Sequence, residues 1–221
     1  MYRAVIVSKP TKNSKIRALT ATLLKRDLIH QFMASPMCLS VAVDIADTNH
    51  TNLVSKLQDS KIVRFSSYSD LAQSSAPNLL VNIGGDLPED LELDQVDRLV
   101  LVSSIFNRPD IDAVRRRLKG LVAGKPVPVS VFETGHILPS FSKEDAVEET
   151  GMRSKKDVLG DAVYSIGSQF LSAKYREIRS KHLAQAIRLN YETCEGEFDA
   201  NNVEYLNFVD CMKVIGLEEK I

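Results

Sequence analysis

Leu79-Leu80-Val81-Asn82-Ile83-Gly84-Gly85 is the stretch on which the fold turns. Its aliphatic run has no regular polar alternation, so neither face of the strand it predicts meets water, and the glycine pair ends it. Leu99-Val100-Leu101-Val102, closed by Ser103-Ser104, repeats that signature downstream. Ala4-Val5-Ile6-Val7, closed by Ser8-Lys9-Pro10, carries it upstream and reads as the first, central strand.

Between these runs the period changes. Ile16, Leu19, Leu23, Leu28 and Phe32 recur at three-to-five spacing after Asn13 or Ser14 as a cap, which predicts an amphipathic helix. Leu39, Val41, Val43 and Ile45 alternate with Ser40, Ala42 and Asp44, predicting a strand with one wetter face nearer an edge. A short helix over 49–59 and a third strand at Ile62-Val63-Arg64-Phe65 follow. Ile111, Val114, Leu118, Leu121 and Val122 form a stripe opposite Arg115, Arg116 and Lys119, so 110–123 reads as a helix closed by Gly124. Val127, Val129 and Val131 alternate into a further strand, and Pro128 argues for an edge position.

Strands separated by helical stretches require crossover connections, which antiparallel neighbours would not need. The reading is an α/β chain with a Rossmann-like, doubly wound, mostly parallel sheet of about five to six strands and a C-terminal helical extension. Residues 1–138 are expected to form that core, 139–154 a loop or linker, and 155–221 helices packed on the core or at an oligomer interface. Within the last segment Val158, Ala162, Ile166, Phe170, Ala173, Ile178, Leu183 and Ile187 sustain a near-helical period. After the acidic turn 195–199, Val203, Leu206, Val209 and Val214 predict a final helix capped by Asn201 or Asn202.

Bulk properties exclude several classes. With 44% hydrophobic and 26% charged residues, the 221-residue chain has the composition of a soluble globular protein, neither disordered nor fibrous. A net charge of −1 supplies no field to recruit nucleic acid or anionic lipid. The Arg115-Arg116-Arg117 triplet fans around its helix and reads as a solvated face. Cys38, Cys194 and Cys211 are too widely spaced for a CxxC pair and fit reduced thiols of a cytoplasmic protein. No apolar run approaches the roughly 18 residues of a membrane span, and no apolar signal segment opens the chain, so no membrane partner is expected. His30, His50, His136 and His182 are scattered without ligand spacing, so no metal site is indicated, and no cofactor is named by any motif.

In an open parallel sheet ligands bind beyond the carboxyl ends of the strands, which directs attention to four loops. Ser8, Thr11 and Lys12 put hydroxyls and an ammonium beside a helix start, where free N–H groups favour anions. Gly84, Gly85 and Asp86 let backbone approach a ligand closely. That Gly-Gly-Asp turn is similar to one in nucleotide and sugar kinases, but Leu87-Pro88 stands where those families continue with Gly-Thr or Gly-Ser, so the phosphate donors are missing. Ser103 can hydrogen-bond a ribose or base, and Arg108 can clamp a phosphate or carboxylate before the helix opened by Pro109-Asp110. Glu133 and His136, three residues apart at a strand exit, are candidates for general base and acid.

Two functions compete. One is a nucleotide- or sugar-phosphate-binding protein, a transferase or hydrolase if it is an enzyme, with its pocket at the carboxyl ends of the parallel strands. The other is a non-enzymatic structural or interaction protein that forms a homo-oligomer through its C-terminal helices.

Overall fold

Every residue of the strands Tyr2–Val7 and Asn78–Ile83 is buried, as expected where an unalternating apolar run has a layer on each face, and so is every residue of the alternating strand Val129–Thr134. A computed structural model describes residues 1–8, 18–44, 59–65, 71, 76–84, 87, 91, 96–105, 109–114, 116, 127–138, 162–164, 166–167, 170 and 172–217. Its elements are β1 (Tyr2–Val7), α1 (Ala18–Met33), β2 (Cys38–Asp44), β3 (Ile62–Phe65), β4 (Asn78–Ile83), β5 (Val96–Ser104), β6 (Val129–Thr134), β7 (His136–Leu138), β8 (Glu177–Arg179), α2 (Ser180–Thr193), β9 (Val203–Leu206) and α3 (Phe208–Val214).

Seven strands form one sheet in the order β3-β2-β1-β4-β5-β6-β9, every neighbouring pair parallel. The chain moves outward from β1 to β3, returns beside β1 as β4, and continues the opposite way. This is a Rossmann-like α/β sheet, with its direction of winding reversed between β1 and β4. β7 and β8 pair in parallel as a separate two-stranded sheet.

Alternation along each strand divides the core into two layers. Ile6, Val43, Val81 and Val102 face α1, α2 and α3, which supply Leu24, Leu28, Phe32, Leu183, Ile187 and Cys211. Val5, Leu80, Leu101 and Val131 point to the other face, with Leu71, Leu87, Leu91, Ile111 and Val114. A fully buried aliphatic side chain of this kind contributes about 1.5–3 kcal/mol, so both layers are needed to hold the sheet.

The structure departs from the sequence expectations in four ways. The sheet gains a seventh strand, because Val203–Leu206 pairs with β6 as β9 where a helix was expected. Three-residue spacing at Val203 and Leu206 suits either element; the extended form is set by Asp199, whose carboxylate accepts from the N–H groups of Asn201 (2.8 Å) and Val203 (2.9 Å) and turns the chain into the strand. The helix cap is Asn207, which accepts from Val209 N–H at 2.8 Å while Asp210 accepts from Asn207 N–H at 2.9 Å, a reciprocal capping box.

β6 is not an edge strand, since β9 covers it, and Pro128 precedes it and offers its carbonyl to Leu99 N–H at 2.9 Å. A missing N–H costs nothing at that position. The long helical period through 158–187 is broken: residues 173–175 are a single 3-10 turn, and Glu177–Arg179 is extended as β8, which buries Ile178 beside Ile137. Finally, α1 is no one-sided amphipathic helix. Residues 21–29 are all buried, charged ones included. Lys25 donates to the Asp44 carbonyl at 2.6 Å, and Asp27 accepts from Ser180 at 2.6 Å with Arg26 at 3.5 Å. Expected elements over 49–58, 117–123 and 139–154, and a cap at Asn13 or Ser14, lie outside the described residues.

Candidate functional site

Because all seven strands of the main sheet run one way, their carboxyl ends share one rim. Ser8 follows β1, Gly84 follows β4, Ser103 ends β5 with Ser104, and Glu133 ends β6 with Thr134. The sheet therefore gathers one residue from each of the four loops singled out in the sequence, on both sides of the β1/β4 reversal. Thr11, Lys12, Gly85, Asp86 and Arg108 lie outside the described residues.

Backbone hydrogen bonds hold these exits in register. Gly84 N–H donates to the Val102 carbonyl at 2.9 Å, and Ile105 N–H to the Thr134 carbonyl at 2.9 Å. The Thr134 hydroxyl donates to the Ser103 carbonyl at 3.2 Å. Gly84 leaves β4 with φ 67°, in the left-handed region that glycine occupies without steric cost.

Two hydroxyls at this rim are buried with nothing to bond among the described residues. Ser8 and Ser103 are 2% and 8% exposed, and neither Oγ has a hydrogen-bond partner among the described residues. A buried hydroxyl in that state costs about 1–3 kcal/mol, which makes it a feature demanding a reason. By strand alternation they belong to opposite faces: Ser8 continues the row of Ala4 and Ile6, and Ser103 the row of Leu99 and Leu101.

Glu133, 5% exposed, is the register partner of Ser103 and continues the row of Val129 and Val131, so both side chains stand on one face. His136 belongs to the small sheet instead. Gly135 separates it from β6, and in β7 it stands opposite Glu177 of β8. Its ring lies 4.9 Å from that of Tyr164, whose hydroxyl donates to the Tyr175 carbonyl at 2.7 Å. Burial, and then the charge of Glu177, push the Tyr164 phenol above its ordinary range, so it serves as a donor that stays protonated. A Cβ on Gly135 would collide with the Tyr175 carbonyl and the Tyr164 hydroxyl, which ties the small sheet closely to the rim.

The sequence reading passed over three polar residues of this end. Asn82 is the single polar residue within the apolar run of β4 and is 1% exposed, and that interruption was the available signal. Asp44 ends β2 as a buried carboxyl, and Glu177 faces His136 only through the pairing of β7 with β8. Neither could be located without the sheet order. The cysteines are free, and burial raises the thiols of Cys38 and Cys211, which removes them as nucleophiles near neutral pH. Among the described residues no group of three His, Cys, Asp or Glu is arranged to hold a metal, and no helix is long and apolar enough to cross a membrane.

Fold and rim together define a class: a Rossmann-like α/β protein with a polar rim at its strand ends. Beyond that class, no protein-family model matches the chain and no curated protein matches it.

Proposed function

We propose that this protein binds a phosphorylated small molecule, a nucleotide or a sugar phosphate, across the carboxyl ends of its parallel strands. The observation that carries the reading is the pair of buried hydroxyls, Ser8 and Ser103, on either side of β4 and without partners among the described residues. A fold without a ligand to serve has no reason to retain two such penalties at one rim, whereas a bound molecule supplies the missing donors and acceptors. In this reading Thr11, Lys12 and Arg108 hold the phosphate, Gly84 and Gly85 let the backbone approach, and Asp86 orders the turn. If the bound molecule reacts, as in a transferase or hydrolase, Glu133 and His136 are the groups suited to proton transfer.

The test is a thermal-shift and calorimetric screen of the purified chain with ADP, UDP-glucose, glucose 6-phosphate, ribose 5-phosphate and inorganic phosphate. At least one probe is expected to raise the melting temperature with increasing concentration, by an amount equivalent to about 2.7 kcal/mol at a hundredfold excess over Kd. Absence of any shift at millimolar concentrations overturns the proposal.

A second reading, self-association through the C-terminal third, is favoured by one observation: Val163, Ile166 and Phe170 are 63%, 66% and 86% exposed. Apolar side chains grouped in this way are a common mark of an interface. A monomeric mass at all concentrations in analytical ultracentrifugation removes it.

A further inference from the structure

Building on the proposed rim, we infer that one face of it is a sugar-hydroxyl subsite, formed by Ser103, Glu133 and Asn82 beside Gly84. Register sets the arrangement. Ser103 and Glu133 are paired across β5 and β6, so their side chains rise side by side from strands about 4.8 Å apart. Asn82 is paired with Leu101, one step below Ser103 on the same face, since it alternates with Leu80 in that layer. The next position on β4 at the level of Ser103 is Gly84, which has no side chain. The face therefore has a hydroxyl and a carboxyl on two strands, an amide about 6.6 Å lower on the third, and above that amide a glycine that contributes no side chain.

The chemistry of this set points to hydroxyl groups. A carboxylate 95% buried repels a phosphate, yet accepts two hydrogen bonds from neighbouring hydroxyls of one sugar ring. The Asn82 amide both donates and accepts, and it is 1% exposed. Ser103 is the independent sign that a ligand atom belongs here, because its buried Oγ stands in the same row without a partner among the described residues. The strands span about 10 Å from β4 to β6, the scale of one monosaccharide with its hydroxyls. The phosphate of the same ligand then lies outside this face, toward the β1 exit where Ser8 stands.

The experiment compares each sugar-bearing probe with a counterpart lacking that sugar, UDP-glucose with UDP and glucose 6-phosphate with inorganic phosphate, by calorimetry on the full chain. The parent protein should bind at least one sugar-bearing probe more tightly than its counterpart. In Glu133→Gln that advantage should shrink by about ten- to a hundredfold, the loss typical of a hydrogen bond to a charged acceptor, while binding of the counterpart holds. Ser103→Ala should shrink it by about tenfold. This second variant removes only a hydroxyl with no partner among the described residues, so it carries the test if Glu133→Gln fails to fold. If neither variant alters the advantage, or both weaken probe and counterpart alike, the subsite is overturned and the rim reading stands. If the parent binds no sugar-bearing or phosphate probe at all, both readings fall together.

Discussion

The two ends of the main sheet treat polar side chains in opposite ways. At the amino end, where the strands begin, polar groups are matched. Tyr2 donates to Glu192 at 2.7 Å, Ser35 donates to the same carboxylate oxygen, and Arg188 holds the other oxygen at 2.8 Å. Arg3 donates to Asn78 at 2.7 Å, Ser130 donates to Glu204, and Tyr191 donates to Asp97 at 2.9 Å. Arg98 lies over the rings of Tyr191 and Phe198 at 5.4 and 5.1 Å. Burial, and then the hydrogen bond to Glu192, raise the Tyr2 phenol far above its usual range, so it remains a donor at every working pH. At the carboxyl end, Ser8 and Ser103 are buried with nothing to bond among the described residues. At the amino end the polar groups hold the chain together, whereas at the carboxyl end these two hydroxyls have no partner among the described residues. Parallel topology is the cause of the division, because it brings all strand exits, with their loops and helix starts, to a single end.

If that contrast is right, substitutions at the two ends should separate stability from binding. The largest effect is expected for Glu192→Ala. Its side chain is 5% exposed, and removing it strands Tyr2, Ser35 and Arg188 together. A loss of about 3 kcal/mol or more in urea denaturation is expected, a fall in Tm of roughly 6–12 °C, with ligand affinity unchanged. A loss under about 1 kcal/mol, within the range of an ordinary surface pair, would break the comparison at the amino end.

Gly135→Ala comes next, because its Cβ meets backbone at Tyr175 as well as the Tyr164 hydroxyl. Overpacking of this kind costs about 1–3 kcal/mol, and the shift of β7 should also disturb the Tyr164 environment, read as a change in near-ultraviolet circular dichroism. An unchanged spectrum and Tm would detach the small sheet from the rim.

Asp27 tests the helical face between the two ends. Burial raises its carboxyl above the ordinary 3.8, with Ser180 and Arg26 acting the other way. A raised folded value means that the folded chain keeps this proton over a window in which the unfolded chain has lost it. The contribution is therefore full below the ordinary carboxylate range and is lost as pH rises through the folded value. Denaturation midpoints of Asp27→Asn should fall less than those of the parent as pH rises through that window. Parallel pH profiles would show that the carboxyl is better solvated than its burial implies.

The smallest change in stability, and the one of opposite sign, is expected for Ser8→Ala and Ser103→Ala. Deleting a buried hydroxyl that has no partner among the described residues should leave Tm unchanged or raise stability by about 1 kcal/mol, while affinity for the active probe falls. A clear loss of stability would mean that these hydroxyls serve the fold, and the two ends would no longer differ.

The readability of this chain varies along its length for physical reasons. β1, β4 and β5 were legible because a strand covered on both faces excludes polar residues and leaves a continuous aliphatic run. In the C-terminal third, the helices over Ser180–Thr193 and Phe208–Val214 were legible, but two stretches were misread because apolar residues three or four apart satisfy a helix on paper. At Ile178 and Val203–Leu206 the pairing with β7 and β6 overrode that period. At the site, Ser8, Gly84, Ser103 and Glu133 were visible as residues at strand exits. Asn82 was hidden in an apolar run, and Asp44 and Glu177 could be located only once neighbouring strands were known.

From its sequence alone the chain commits to alternating strands and crossovers, and hence to a parallel sheet whose exits share one rim. That follows from hydrophobic period and connection length, which are local properties. Only the tertiary structure decides that Ser103 stands beside Glu133 on one face, that Ser8 stands on the other, and that Glu192 gathers three partners at the opposite end. Such matches join residues distant in the chain, and strand order and register, the products of packing the whole core at once, determine which side chains meet.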